Sequence, residues 1–362
     1  MAEIVRLSVL DQSPVPAGTT GAEALHNTLD LARLADALGF HRYWVAEHHG
    51  GPALAGASPE VLIGPIAAAT RRIRVGSGGV MLPHYSPLKV AESFSILAGL
   101  FPGRIDLGVG RTAGTDDATA RLLQRDRRHA PPDDFTDQLA ELLGLVDATF
   151  PPGHPLARLA SVLPGRTVDG PRPWLLGSSW ESAIWAGELG LPYAFADFVN
   201  PYGAGHAALY HERFEPSSRL ARPRLAVAAW TVVAETDGEA ERLAASTRMT
   251  MAMRRRGEPI QLPPVEEAVR FMSTPSDDLS DPLGAGRRGA IGSPATVRAG
   301  LEELASDYGA DEVIAVTATF DHDARRRSYE LLADAFGLSG ARDAEPELAH
   351  AQDIHDRSSH RE

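Results

Sequence analysis

The chain has 362 residues, 43% of them hydrophobic, and a formal net charge of -13. That is enough apolar material for a sizeable core, while the acidic balance argues against a general nucleic-acid binder, which needs a positive surface to neutralise phosphates. There is no cysteine, which excludes disulfides, thiolate zinc sites and a cysteine nucleophile.

The amino terminus, Met1-Ala2-Glu3-Ile4, lacks the basic and long apolar regions of a signal peptide. No apolar run is long enough to span a bilayer, so the expectation is a cytoplasmic protein with no membrane or nucleic-acid partner. Val5 to Leu10 reads as a first strand, followed by Asp11-Gln12-Ser13-Pro14. A helix starts at Thr20 or Gly21, and Gly39 is placed to stop it. A second strand, Tyr43 to Ala46, runs abruptly into Glu47-His48-His49. Ser58-Pro59 and Ser86-Pro87 each combine a capping serine with a first-turn proline, opening helices to about Thr70 and Leu100. Between them lies a strand from Ile73 to Val80 with a glycine-rich end, and Arg104 to Val109 is the fourth strand.

The second half is looser. Thr112 to Asp133 reads as an extended loop, Asp134 to Phe150 as a helix, and Pro151 to Pro171 as irregular. Trp174 to Gly177 is a fifth strand, which enters a helix through Ser178-Ser179. Strands six to eight are expected at Tyr193–Phe198, Leu225–Val233 and Glu312–Thr317. Helices follow at Asp237–Met253, after Ser293-Pro294, and at Ala324–Phe336. This alternation predicts an α/β fold, a (β/α)8 TIM barrel with insertions at its carboxyl-terminal mouth. Residues 1–337 form the barrel, 254–288 are a probable insertion that could act as a lid, and 338–362 are a polar tail expected to be disordered.

Four strand ends carry candidate chemistry, because barrel active sites sit at the carboxyl ends of the strands. A histidine beside Glu47 suits general acid/base work, although a structural histidine is as good a reading. Two adjacent imidazoles with no third ligand make a poor metal site. The glycines of Val75-Gly76-Ser77-Gly78-Gly79 allow close approach of a flat ligand, or simply a bulge. Arg111, flanked by glycine, suits an anion or a surface pair with Asp116 or Asp117. Gly177-Ser178-Ser179 opening a helix offers free N–H groups and hydroxyls to a phosphate, or is an ordinary serine cap.

In this order, these stretches resemble the bacterial luciferase-like flavin monooxygenases. The branch in question carries L-D-Q-S-P at the first strand and G-R-x-x-G-T-D after the fourth, here Leu10 to Pro14 and Gly110 to Asp116. The likeness covers roughly residues 5 to 337. It implies reduced FMN (FMNH2) bound at the mouth and O2 as co-substrate for oxidation of a small organic molecule. A separate flavin reductase would supply the FMNH2. The catalytic histidine falls on His48 and a non-proline cis peptide on Gly78-Gly79, glycine at both positions letting the flavin ring approach closely. The phosphate contacts fall on Arg111, Ser178, Ser179 and Ser182. Asp11, Trp44 and Phe195 are the expected substrate-pocket walls. Gly110 stands where the luciferase catalytic subunit has a reactive cysteine, which points to a substrate other than a long-chain aldehyde. The resemblance also implies a homodimer, through the helices after strands two and three. Alternative readings are an F420-dependent dehydrogenase on the same barrel and a non-catalytic flavin-binding partner subunit.

Overall fold

The structure, a computed structural model, describes residues 6–123, 134–273 and 290–340. Eight parallel strands follow one another round a closed ring: β1 (Arg6–Asp11), β2 (Arg42–Val45), β3 (Arg74–Ser77), β4 (Ile105–Gly110), β5 (Arg172–Gly177), β6 (Tyr193–Ala196), β7 (Leu225–Trp230) and β8 (Glu312–Val316). β1 pairs with β8, Arg6 opposite Glu312, and β3 pairs with β4, which closes the (β/α)8 barrel. Two short pieces extend it. Val80–Met81 pairs with the end of β4, and Val232–Val233 pairs with Ile291–Gly292.

Both faces of every strand are covered, so the strands are apolar on nearly every position, as a parallel sheet requires. Successive side chains still alternate between two different environments. Leu7, Val9, Tyr43, Val45, Phe195 and Val227 point out and join the large cluster under the helices. Leu10, Trp44, Trp174, Ala194, Ala226 and Ile314 point in and form a separate, smaller cluster inside the barrel.

The interior is graded along the barrel axis. At the amino-terminal end it is plugged by charge. Arg42 reaches Asp106 at 2.5 Å and Glu312 at 2.6 Å, and Arg74 reaches Asp106 at 2.6 Å. The Arg42 guanidinium also lies 4.7 Å from the Trp174 ring centroid. Burial opposes ionisation of Asp106 and Glu312, but the arginines beside them outweigh it. Asp106 is held well below the usual carboxylate range and Glu312 down to about 2. At the carboxyl-terminal end several inward positions are small, Ala46, Gly78, Gly110, Ala196 and Ala228, beside the larger Leu176, Trp230 and Val316. A bulky, ion-paired floor under small-residue strand ends leaves the space at the mouth, where a barrel site belongs.

Helices form where the caps were read, with two differences. Thr20 and Glu23 make a capping box for the helix Gly21–Leu38, which ends at Gly39 with φ 89°. Ser58 and Ser86 do occupy cap positions before Pro59–Ala69 and Pro87–Leu100, yet neither side chain makes a capping hydrogen bond. The second difference is helix in stretches expected to be irregular. Asp117–Leu123 lies within the expected loop, because the Asp116 carboxylate accepts from the Thr119 N–H at 3.0 Å and starts a turn. Ala157–Ser161 interrupts the Pro/Gly-rich stretch. A further helix, Ala204–Arg213, follows β6 where no element was assigned from sequence, and buries His206, Ala207 and Tyr210 on one side. The helix Asp237–Arg255 runs into the expected insertion, which also holds Val265–Met272, with Val265 and Ala268 buried. Residues 274–288 of that insertion and 341–362 of the tail lie outside the described residues.

Three loops at the mouth are stitched together by main-chain hydrogen bonds. Val15 N–H donates to Ala53 O at 2.8 Å, and Ala55 N–H to Ser13 O at 2.9 Å. Leu262 N–H donates to Val15 O at 3.0 Å, and Ala17 N–H to Leu262 O at 2.8 Å. The rim after β1, the rim after β2 and the segment following Asp237–Arg255 therefore form one continuous edge.

Candidate active site

β2 carries its polar groups straight to this edge. Glu47 is fully buried, and its carboxylate accepts from the Met81 N–H at 2.9 Å and the Tyr85 hydroxyl at 2.8 Å, with His49 Nε2 2.8 Å away. It ties the loop carrying Met81 to the end of β2. Burial and the Glu47 charge push the Tyr85 phenol up, so it stays a donor. His48 is held through its main chain, donating to Gly56 O at 2.8 Å, while its side-chain Nδ1 is buried with no hydrogen-bond partner. Burial first, then the charges of Arg254 and His49, bring the His48 imidazolium down to about 4. The ring is neutral at neutral pH, with one nitrogen uncommitted.

The Gly78-Gly79 peptide bond is cis. The reason for glycine here is the barrel's own packing. A Cβ on Gly78 would lie 2.5 Å from Leu10 Cδ1 and 3.1 Å from Trp44 Cβ; one on Gly79 would lie 2.8 Å from Gly108 O. The glycines let β3 cross close over the interior, rather than clearing space for a ligand.

On the β4–β5 side, Ser179 caps the helix Trp180–Glu188. Its hydroxyl accepts from Ser182 N–H at 3.3 Å, and Ser182 Oγ in turn accepts from Ser179 N–H. The Ser182 hydroxyl is buried, 2.8 Å from both Ser179 O and the Tyr193 hydroxyl. It secures the loop from behind. Arg111 approaches the same helix start from β4, 3.9 Å from Glu181 and 5.2 Å from the Trp185 ring centroid. Of the two carboxylates offered as an alternative partner, Asp116 and Asp117, the first is occupied by Thr119. A guanidinium and a helix amino terminus thus meet on one side of the mouth, a donor set suited to an oxyanion.

Of the three expected wall residues, Asp11 and Phe195 do not line the mouth. Both occupy outward positions of their strands. Asp11 accepts from Tyr43 Oη at 2.5 Å, Arg325 Nη2 at 2.6 Å and Ser13 N–H at 2.7 Å. Burial would raise its pKa, but Arg325, Tyr43 and Ser13 together hold it below the usual range. Phe195 packs between Tyr193, His206 and Tyr308 in the helix layer. Trp44 does point inward, but deep, donating from Nε1 to Asp106 at 3.0 Å. Sequence reasoning missed one residue at the carboxyl end of the barrel: Trp230, the last of β7, whose Nε1 is buried without a partner and whose ring lies 5.8 Å from that of Phe198. Trp230 was hidden inside the expected strand Leu225–Val233. Among the described residues no group of three or more histidines and carboxylates could hold a metal ion, and no helix is long and apolar enough to cross a membrane.

A family model for luciferase-like monooxygenases matches residues 5–312. The chain belongs to the luciferase-like monooxygenase family. It is 41% identical over 333 residues to a luciferase-like monooxygenase of Escherichia coli, covering 91% of this chain and 96% of that one. It is 37% identical over 338 residues to the N-acetyl-S-alkylcysteine monooxygenase of Bacillus subtilis, covering 92% and 98%. Among solved structures it is similar to apo-MsnO8, with a TM-score of 0.85, 40% identity and coverage of 93% and 99%. More distant likenesses show the fold alone. One is to the oxygenating constituent of 3,6-diketocamphane monooxygenase of Pseudomonas putida in complex with FMN (TM-score 0.66, 20% identity, coverage 91% and 97%). Another is to an F420-dependent secondary alcohol dehydrogenase (TM-score 0.62, 14% identity, coverage 91% and 99%). The same barrel fold is thus found in an FMN complex and in an F420-dependent enzyme.

Proposed function

We propose that this luciferase-like monooxygenase is the oxygenase component of a two-component system, taking FMNH2 from a separate reductase and using O2 to oxidise a small organic substrate. The observation that carries the reading is the meeting of Arg111 with the Ser179-capped helix start, on the β4–β5 side of the same mouth that His48 reaches from β2. An FMN phosphate fits that donor set. Ser178 and Ser179 would present main-chain N–H groups and hydroxyls, Arg111 the charge, and Ser182 would hold the loop. The small strand ends Ala46 and Gly110 would leave room for an isoalloxazine ring over the Trp44 floor. Bound reduced flavin supplies two electrons to O2.

The protein's contribution is positioning and proton control. His48, neutral at neutral pH, can accept a proton at Nδ1 or, in the other tautomer, donate a hydrogen bond from it. The Glu47 clamp on Met81 fixes the loop beside Gly78-Gly79. Phe198 and Trp230 exclude water from the substrate side. The uncommitted His48 Nδ1 speaks against a non-catalytic partner subunit. The exposed Val61, Ile96 and Leu100, on the helices after β2 and β3, support a homodimer through that face, checked by light scattering. The test of function is anaerobic titration with FMNH2, then mixing with oxygenated buffer. Tight FMNH2 binding and reoxidation far slower than that of free FMNH2 is expected. Failure to bind FMNH2 together with binding of reduced F420 would transfer the reading to the dehydrogenase.

A further inference from the structure

The helix start offered to the flavin phosphate already holds an anion of the chain's own. Glu181 is the second residue of the helix Trp180–Glu188, just past the Ser179 cap. Its carboxylate lies 3.9 Å from the Arg111 guanidinium. Hydrogen bonds from its own N–H and from the Ser179 hydroxyl, and then the charges of Arg111 and His206, hold its carboxyl below the ordinary value. The Glu181 carboxylate therefore draws on the very groups a phosphate would use there: a first-turn N–H, the capping hydroxyl and the guanidinium. An acidic side chain in a first helical turn answers the helix dipole, but here it also stands in the path of the ligand.

The frame of this corner is fixed, and the carboxylate is not. From the β6 side, Asn200 Nδ2 donates to Ser178 O at 3.1 Å, and Trp180 stacks on the buried His206 with ring centroids 3.9 Å apart. A Cβ on Gly205 would lie 3.0 Å from Trp180 Cη2, so there is no slack beside that ring. Ser182 is anchored to the Tyr193 hydroxyl at 2.8 Å. Arg111 is braced by the Trp185 ring, 5.2 Å from its centroid, a contact that does not involve Glu181. Glu181 itself is 55% exposed, and 3.9 Å is too long for a direct hydrogen bond to Arg111. An exposed pair of this kind contributes little. The carboxylate can swing into water while every donor stays in place.

We infer that Glu181 is a displaceable occupant of the phosphate site, an intramolecular competitor that weakens the hold on a phosphate-bearing flavin. The inference rests on the flavin reading for the identity of the incoming ligand; the place of Glu181 among the donors does not depend on it. Two anions at one guanidinium and one helix start repel each other, so the phosphate gains less than the cradle could give. An oxygenase fed by a separate reductase takes flavin up and returns it on every cycle, and a moderated phosphate contact serves that exchange.

Binding of FMN and of riboflavin is followed by flavin fluorescence for the unmodified protein, Glu181→Gln and Glu188→Gln. Glu188 ends the same helix, about 10 Å along its axis from Glu181, and pairs with Arg213 at 3.6 Å. Its neutralisation changes net charge equally without touching the cradle. Glu181→Gln is expected to bind FMN about fivefold more tightly, the order of effect of one unit charge a few ångströms away across water. The gain should shrink in high salt. Riboflavin affinity should not change, nor should the FMN affinity of Glu188→Gln. Unchanged or weaker FMN binding by Glu181→Gln, or an equal gain with riboflavin or in Glu188→Gln, would overturn the inference. If none of the proteins binds FMN, the flavin reading fails, and thermal midpoints in inorganic phosphate against chloride at equal ionic strength decide the competition. A larger phosphate-dependent rise in Glu181→Gln than in the unmodified protein sustains it; equal rises, or none, overturn it.

Discussion

Arg325 Nη2 lies 2.6 Å from Asp11 Oδ1, with both side chains fully buried, joining the last helix (His322–Phe336) to the last residue of β1. The pair spans the seam where the chain closes on itself, since β1 and β8 are neighbours far apart in sequence. Removing one member of such a pair strands the other charge. Asp11→Ala is expected to destabilise the protein by about 3–5 kcal/mol, read from the urea midpoint. A midpoint within experimental error of the unmodified protein would show that Arg325 finds another partner.

Acid should weaken the opposite end of the barrel. The folded-state pKa of Glu312 lies below the unfolded value, falling from 4.5 to about 2, and that of Asp106 is also depressed. A depressed carboxylate contributes stability that is complete above its unfolded pKa and is lost as pH falls through its folded one. Thermal midpoints should be nearly flat above pH 4.5 and fall between there and about pH 2. Replacing Glu312 with Gln should lower the midpoint at neutral pH and flatten the acid limb.

Two serines that look alike in sequence should behave differently. Ser179 caps its helix through its side chain and Ser58 does not. Ser179→Ala should cost roughly 0.5–2 kcal/mol, and Ser58→Ala close to nothing. Paired denaturation curves of the two variants check this, and equal costs would contradict the hydrogen bonding described.

Arg111 is 43% exposed, so its loss should leave stability within about 0.5 kcal/mol. FMN affinity should nevertheless drop about tenfold or more, as expected when a charge-assisted contact to phosphate is removed. Fluorescence titration of Arg111→Ala with FMN and with riboflavin makes the point sharper, because riboflavin has no phosphate and should bind both proteins alike.

His48→Gln should lower turnover by roughly 10²- to 10⁴-fold with little change in flavin affinity. In the unmodified protein the neutral imidazole is the working form, and its conjugate acid lies at about 4. The contribution of His48 should therefore be constant through neutral pH and decline only as the pH falls toward that value. A turnover profile that bends near pH 6.5, the ordinary imidazole value, would mean that the ring is far more solvated than its packing implies.

Much of the fold was legible because βα units announce themselves twice, by an apolar run and by the cap that follows. Thr20, one of the two helix starts offered, and Ser179, offered as a cap or a phosphate contact, both cap helices in the structure. Inward and outward faces were not legible, because a strand covered on both sides has no polar alternation to betray its register. That is why Asp11 and Phe195, which point into the helix layer, were expected at the mouth, and why Trp230 was overlooked. The partners of buried charge were equally hidden. Nothing near Asp106 in sequence announces Arg42 or Arg74, which only barrel closure brings to it. Short helices such as Val265–Met272 were missed because two turns of pattern are too few to stand out from surrounding proline and glycine.

The stitching of Ser13, Val15 and Ala17 to Ala53, Ala55 and Leu262 uses only peptide groups. The scaffold of the entrance is therefore indifferent to which side chains it bears, apart from proline at the donating positions. Residues along these loops can be exchanged to suit a longer, shorter or differently charged guest without loosening the frame that holds them. The entrance can be refitted while its architecture stays constant, and libraries of variants aimed at new substrates should be built there first.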